Sequence, residues 1–229
     1  MAWRQYAFTM VFAVLAALAV RHFVLTAYKV PTGSMQPILK PGDFIFSLRT
    51  AYGLRIPIGG PVWEGRSPQR GDLVVFSYPH QPEVNYVKRV IALPGETIEM
   101  KKNQLIVNGK LFGYEEPHLE KISDNPNPAL FDLFLERAPA ELGSQEWTVI
   151  LEKGSLDKNF GPLTVPEGEI FLLGDNRDTS DDSRYWGTVP VSQVSGRVLL
   201  IWLSLDWQKR WAEERFPSVR WERLFMRPH

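Results

Sequence analysis

Three short polar strings in this chain carry residue types that suit acyl-transfer chemistry. The first is Pro31-Thr-Gly-Ser-Met35. Gly33, next to Ser34, permits tight backbone geometry and the close approach of a substrate. The hydroxyl of Thr32, two residues before Ser34, can join neighbouring amides in holding an oxyanion. The competing reading of the same string is a Pro-Thr-Gly-Ser linker. A serine nucleophile also needs a base, and histidine is scarce, standing only at positions 22, 80, 118 and 229. A Ser-His-Asp arrangement would have to use His80 or His118, and neither lies in a recognisable motif.

Lys88 is the alternative base. It interrupts an apolar run, Tyr86-Val87-Lys88-Arg89-Val90-Ile91. On a strand, neighbouring side chains point to opposite faces, so one of Lys88 and Arg89 is expected to face the interior or a cleft. A solvated lysine, with a pKa of about 10.4, is a poor base at neutral pH. Burial disfavours its charged form by up to ~3–5 units. A neutral amine can then take the serine proton. The competing reading is an edge strand with both charges in water.

The third string is Gly174-Asp-Asn-Arg-Asp178, continuing through Thr179, Ser180, Asp181, Asp182, Ser183 and Arg184 to Tyr185-Trp-Gly187. It follows the apolar Ile170-Phe-Leu-Leu173, as a loop at a strand end that carries function often does. Ser180 is placed to orient a lysine amine, and Asp182 with Arg184 to brace the loop. Its carboxylates lack the spacing and final Glu of an EF-hand. Ser155-Leu-Asp-Lys158 fits a Ser-x-x-Lys pattern but has no Ser-Asp-Asn or Lys-Thr-Gly companion, so it is read as chance.

These strings need a scaffold, and the rest of the sequence describes one. Hydrophobic residues make up 44% and charged residues 23%, enough apolar material for a packed core. Basic and acidic residues balance at 26 each, which gives no case for nucleic acid as a partner. There is no cysteine, which excludes thiol nucleophiles, disulfides and cysteine-held zinc. No two histidines have metal-ligand spacing on a helix. Apolar runs bounded by Pro and Gly predict strands at Asp43–Ser47, Asp72–Ser77, Tyr86–Ala92, Gln104–Val107, Thr148–Leu151, Glu169–Leu173 and Gly196–Trp202. Asn108-Gly109 predicts a hairpin.

The two ends differ from this pattern. Tyr6–Val20 is uncharged and almost wholly apolar, and Phe23–Ala27 resumes after Arg21-His22. At ~1.5 Å per residue, Tyr6–Ala27 could cross a hydrocarbon layer of roughly 30 Å if Arg21 reaches the far interface. A permanent anchor, a cleavable signal peptide and a buried core helix remain the three readings. At the other end, Trp207, Trp211, Phe216, Trp221 and Phe225 alternate with Lys209, Arg210, Arg215, Arg220, Arg223 and Arg227. That composition suits a membrane interface and equally a terminal segment packed on its own domain. Residues 110–159, with Pro clusters such as Asp124-Asn-Pro-Asn-Pro128, read as part of an inserted lobe or as a long surface loop.

Taken together in this order, the blocks resemble bacterial type I signal peptidases. They are Val30-Pro-Thr-Gly-Ser-Met-Gln-Pro37, Pro41-Gly-Asp43, Arg70–Phe76, Tyr86–Val90 with Pro94-Gly-Glu96, and Gly174–Asp178 through Ser183–Gly187. The resemblance implies Ser34 as nucleophile, Lys88 as general base, Thr32 as the oxyanion-assisting hydroxyl and Ser180 as the residue that orients the amine. Asp182 and Arg184 become a structural ion pair beside the site, with Gly174 and Asp175 in the same block. Tyr28, Val30, Met35, Tyr86 and Val87 fall in the neighbourhood of substrate pockets for small apolar residues.

The fold implied is mainly β: a two-lobed antiparallel β-sheet catalytic domain behind an N-terminal transmembrane helix. Residues 1–27 would be the anchor, 28–97 with 167–204 the catalytic core, 98–166 the inserted lobe and 205–229 the tail. The activity implied is removal of N-terminal signal peptides after Ala-x-Ala type sites, with no cofactor and no metal. Its partners would be preprotein signal peptides and the lipid bilayer, and a monomer is expected. The protein would sit in the cytoplasmic membrane as a single-pass chain with the catalytic domain on the outer face. Two other readings stand beside this one: a Ser/Lys peptidase for one secretion or conjugation substrate, and a membrane-tethered β domain that only binds.

Overall fold

The structure is a computed structural model that describes residues 2–56, 60–116, 127, 129–211 and 216–228, with the side chains at 2, 17, 19, 20, 22, 23, 54–56, 60–64 and 208–211 also left out. His118, Arg215 and most of the Asp124–Pro128 cluster therefore lie outside the described residues. The chain opens on helix α1, Ala2–Phe23. Trp3, Tyr6, Phe8, Phe12 and Leu15 on it are exposed. Among the described residues, no helix is long and apolar enough to cross a membrane. The expected helix is present, and the expected transmembrane span is not shown.

Beyond α1 the longer regular elements among the described residues are strands. In chain order come β1 (Leu25–Lys29), β2 (Asp43–Leu48), β3 (Gly53–Ile56), β4 (Gly60–Glu64), β5 (Leu73–Tyr78) and β6 (Gln81–Ala92). Then follow β7 (Thr97–Lys101), β8 (Gln104–Val107), β9 (Lys110–Leu111), β10 (Gly113–Glu115), β11 (Phe131–Arg137) and β12 (Glu146–Glu152). The series closes with β13 (Phe160–Thr164), β14 (Glu169–Leu173), a short helix α2 (Ser183–Trp186), β15 (Val189–Pro190), β16 (Val194–Trp211) and β17 (Phe216–Val219). The main sheet has the order β1-β2-β16-β5-β6-β14-β15, with β17 paired to β16. Its pairings are antiparallel.

Residues 97–164 form two smaller sheets, β13-β7-β8-β9 and β10-β11-β12. Asn108-Gly109 makes the two-residue turn of the β8–β9 hairpin, with φ of 51° and 72°. Both angles lie in the left-handed region that Asn and Gly tolerate best. One buried cluster joins these sheets to the main one: Ile98, Met100, Leu105, Val107, Trp147 and Val149 pack with Ile91, Ala92, Phe171 and Leu173. Each such side chain contributes on the order of 1.5–3 kcal/mol on burial. A second cluster, on Val30, Met35, Leu39, Ile45, Leu73 and Val75, lies under the segment that carries Ser34.

The consequence for β6 is that its second half is buried on both faces, so Lys88 through Ala92 show no alternation. β6 lies between β5 and β14, so the edge-strand reading of Lys88 does not apply. At the other end, β16 runs through residue 205 without a break, and β17 folds back on it. Arg223, beyond β17, is buried and bonds Asp43 at the start of β2 through Nη2 at 2.6 Å and Nε at 3.2 Å.

Candidate active site

Ser34 sits in the turn between β1 and β2, where the amide of Gln36 donates to the Gly33 carbonyl at 3.0 Å and that of Leu39 to the Met35 carbonyl at 2.9 Å. The turn is pinned from outside by Asn176, whose amide donates to the Ser34 carbonyl at 3.1 Å. Gly174 lies against the same carbonyl. A Cβ there would come within 2.5 Å of the Ser34 oxygen and 2.1 Å of Ser180 Oγ, so only glycine lets the two segments approach this closely.

Lys88 projects from β6 onto this turn, and its Nζ donates to Ser34 Oγ at 2.7 Å. The amine is almost fully buried, at 2% exposure. Burial pushes it down from 10.5 to about 8, with Asp182, Asp181 and Asp175 pulling it back up and Arg184 pushing it down. At that value about one amine in ten is neutral at pH 7, against fewer than one in a thousand in water. The Thr32 and Ser34 hydroxyls are 3.4 Å apart, so Thr32 borders the serine oxygen.

The other expected residues lie around this pair. Arg89 points to the opposite face from Lys88 and forms a two-pronged ion pair with Asp175, at 2.8 and 2.7 Å. Of the two adjacent cations, therefore, both are buried, one with a carboxylate and one without. Asp182 accepts from Arg184 at 2.7 and 2.9 Å and from the Gly174 amide at 3.0 Å, which fixes the loop's return. Ser180 Oγ is buried beside Gly174 and has no hydrogen-bond partner among the described residues. The structure brings Ser180 to the site without joining it to the Lys88 amine.

A cavity of about 220 Å³ opens beside Ser34 and Lys88. All five expected pocket residues, Tyr28, Val30, Met35, Tyr86 and Val87, line it. Sequence reasoning missed Val75, Val84, Asn85, Thr179 and Asp181 in the same lining. Period-two alternation on β5 and β6 carried the signal for Val75, while Asp181 had none beyond its place in the polar loop.

Two further contacts were not foreseen. Arg177 is buried in a two-pronged ion pair with Glu136 of β11, one contact being Nη1 to Oε1 at 2.6 Å. The loop also bonds Ile150 of β12, from the Arg177 amide at 3.1 Å and through the Asp175 carbonyl at 2.9 Å. The chance Ser155/Lys158 pair has a bracing role instead: Lys158 forms an ion pair with Asp178 at 2.9 Å. His80 packs edge-on against Tyr78, and Ser34 receives its hydrogen bond from Lys88, not from a histidine.

Comparison with known proteins gives the family of the chain. The family described as signal peptidase, peptidase S26 matches residues 3–203. Signal peptidase I of Pseudomonas aeruginosa is 36% identical over 203 residues, covering 82% of this chain and 68% of the relative. That of Pseudomonas fluorescens is 37% identical over 205 residues, with the same two coverages. The Aquifex aeolicus protein is 33% identical over 217 residues, covering 83% and 80%. With a match across most of its length and relatives at this identity, the chain belongs to the signal peptidase family, peptidase S26.

Proposed function

We propose that this chain removes N-terminal signal peptides from exported preproteins as a Ser34/Lys88 serine endopeptidase. The observation that carries the reading is the 2.7 Å contact between a buried lysine amine and the Ser34 hydroxyl. Neutral Lys88 takes the Ser34 proton while Oγ attacks the scissile carbonyl. Thr32 and the Ser34 amide receive the negative charge that develops on the carbonyl oxygen. The lysine then hands its proton to the leaving amine, and the acyl group stays on Ser34. Water, deprotonated by the same amine, releases the acid and restores the serine. The apolar lining from Val30, Met35, Val75 and Val87 fits small apolar side chains before the cleaved bond.

The same reading makes α1 an anchor that keeps the β domain at the outer face of the cytoplasmic membrane. Its support is the exposed apolar surface of Tyr6, Phe8, Phe12 and Leu15, which has a natural partner in lipid. Alkaline carbonate washing of membranes should leave the chain in the pellet, and release into the supernatant refutes the anchor.

The central test is cleavage of a detergent-solubilised preprotein by wild type, Ser34→Ala and Lys88→Ala across pH. Wild type should release the mature chain, with kcat/KM rising about tenfold per unit up to a pH near 8 and levelling above it. Both variants should be inactive. Full activity in Lys88→Ala removes the lysine from the mechanism, and an inert wild type moves the binding role ahead.

A further inference from the structure

The loop from Gly174 to Arg184 holds four carboxylates, and three of them have a cation. Asp175 pairs with Arg89 at 2.7 Å, Asp178 with Lys158 at 2.9 Å and Asp182 with Arg184 at 2.7 Å. Asp181 makes no ion pair among the described residues. It is exposed at the cavity lining, beside Lys88 and Thr179. Its neighbour in the lining is a neutral one, the Tyr86 phenol, whose acidity the carboxylate lowers. The Tyr86 ring is in turn fixed by stacking on Tyr78, with centroids 4.4 Å apart.

A neutral phenol beside a carboxylate does not cancel its charge. Burial and then Asp181 itself push Tyr86 up from its ordinary value, so the phenol keeps its proton and stays neutral. Lys88 must be neutral to act as the base, and in that state it offers Asp181 no counter-charge. Lys29 is the remaining cation in the cavity lining, and its Nζ lies over the Trp207 ring at 5.5 Å. With Lys88 neutral, the lining carries one negative charge, at Asp181 near Lys88, and one positive charge, at Lys29, and the two form no ion pair among the described residues.

We infer that Asp181 is a specificity-determining residue: it selects peptide substrates with a cationic side chain at one position flanking the scissile bond. The inference rests on the proposed peptidase function and adds a substrate class to it. Because Asp181 is exposed, the attraction is that of a solvated pair, about two- to fivefold in kcat/KM, and it weakens as salt is raised.

The experiment uses the full chain in detergent and a set of peptides that share one cleavage site. A neutral parent is compared with versions carrying a single Lys or a single Glu at each position from four before the bond to three after. Wild type should cleave the Lys version about two- to fivefold faster than the Glu version at one position. In Asp181→Asn the Lys/Glu ratio at that position should fall to about one, and in Asp181→Lys it should fall below one. The ratio cancels any change in Lys88 basicity or in folding, because these act on every peptide alike. Cleavage of the parent with the Lys/Glu ratio unchanged in both variants overturns this inference alone. No cleavage of the parent by wild type overturns the peptidase function, and this inference with it.

Discussion

Replacing Lys88 with Met should abolish activity and yet stabilise the fold at neutral pH. The cost of burying the amine is read from its fall from 10.5 to about 8. At about 1.36 kcal/mol per unit this is about 3 kcal/mol. Below pH 8 the folded and unfolded chains both hold the proton, so the cost is present in full. Between about 8 and 10.5 the unfolded chain holds more of the proton, and stability rises with pH. By pH 10 about 1 kcal/mol of the cost remains. Lys88→Met removes the titration, while its loss of the hydrogen bond to Ser34 is a constant of about 1 kcal/mol. The stability difference between variant and wild type should therefore shrink by about 2 kcal/mol from pH 7 to pH 10. Urea unfolding at both pH values, followed by tryptophan fluorescence in one detergent, measures it. Other titrating groups contribute to both proteins and cancel. Two profiles that run parallel across this range would refute the claim that burial depresses Lys88.

Gly174→Ala puts a methyl group within 2.5 Å of the Ser34 carbonyl oxygen and 2.1 Å of Ser180 Oγ. The Ser34 turn must shift, and a displacement near 1 Å should lower kcat/KM on the order of 100-fold, measured on the peptides above. Arg223→Leu leaves the buried Asp43 carboxylate without its cation and should cost about 3–5 kcal/mol. Arg223→Lys keeps the charge but not the two-pronged contact, so urea midpoints should rank wild type, Lys, then Leu; equal midpoints would show the pair to be dispensable.

Much of the scaffold could be read from local pattern. Gln104–Val107 and Glu169–Leu173 are strands with the bounds their apolar runs predict, and Asn108-Gly109 turns the hairpin. Strand alternation also separated Lys88 from Arg89. It failed on burial: alternation predicts one covered face, whereas β6 is packed from both sides once residues 97–164 fold over it. Partners were harder still. Nothing local in Phe131–Arg137 marks Glu136 as the mate of Arg177, because the pairing depends on how two sheets meet. Asp181 was legible only as one more acid in a polar loop, and its distinction appears when its three neighbours are seen to be paired. The N-terminal helix was legible in the apolar run Tyr6–Val20, and the structure forms it as α1.

The Asp43–Arg223 pair bears on biosynthesis. The two residues are 180 positions apart in sequence, so at about 5–20 residues per second the ribosome needs roughly 9–36 seconds to deliver the cation after the carboxylate. Throughout that interval β2 has a charge with no permanent counter-ion, and the sheet around it cannot close dry. The loop that fixes Ser34 also emerges late, since Asn176 follows Gly33 by 143 residues. A nascent chain thus displays Ser34 long before the loop that pins it exists, and the proposed site is assembled only as translation nears the tail.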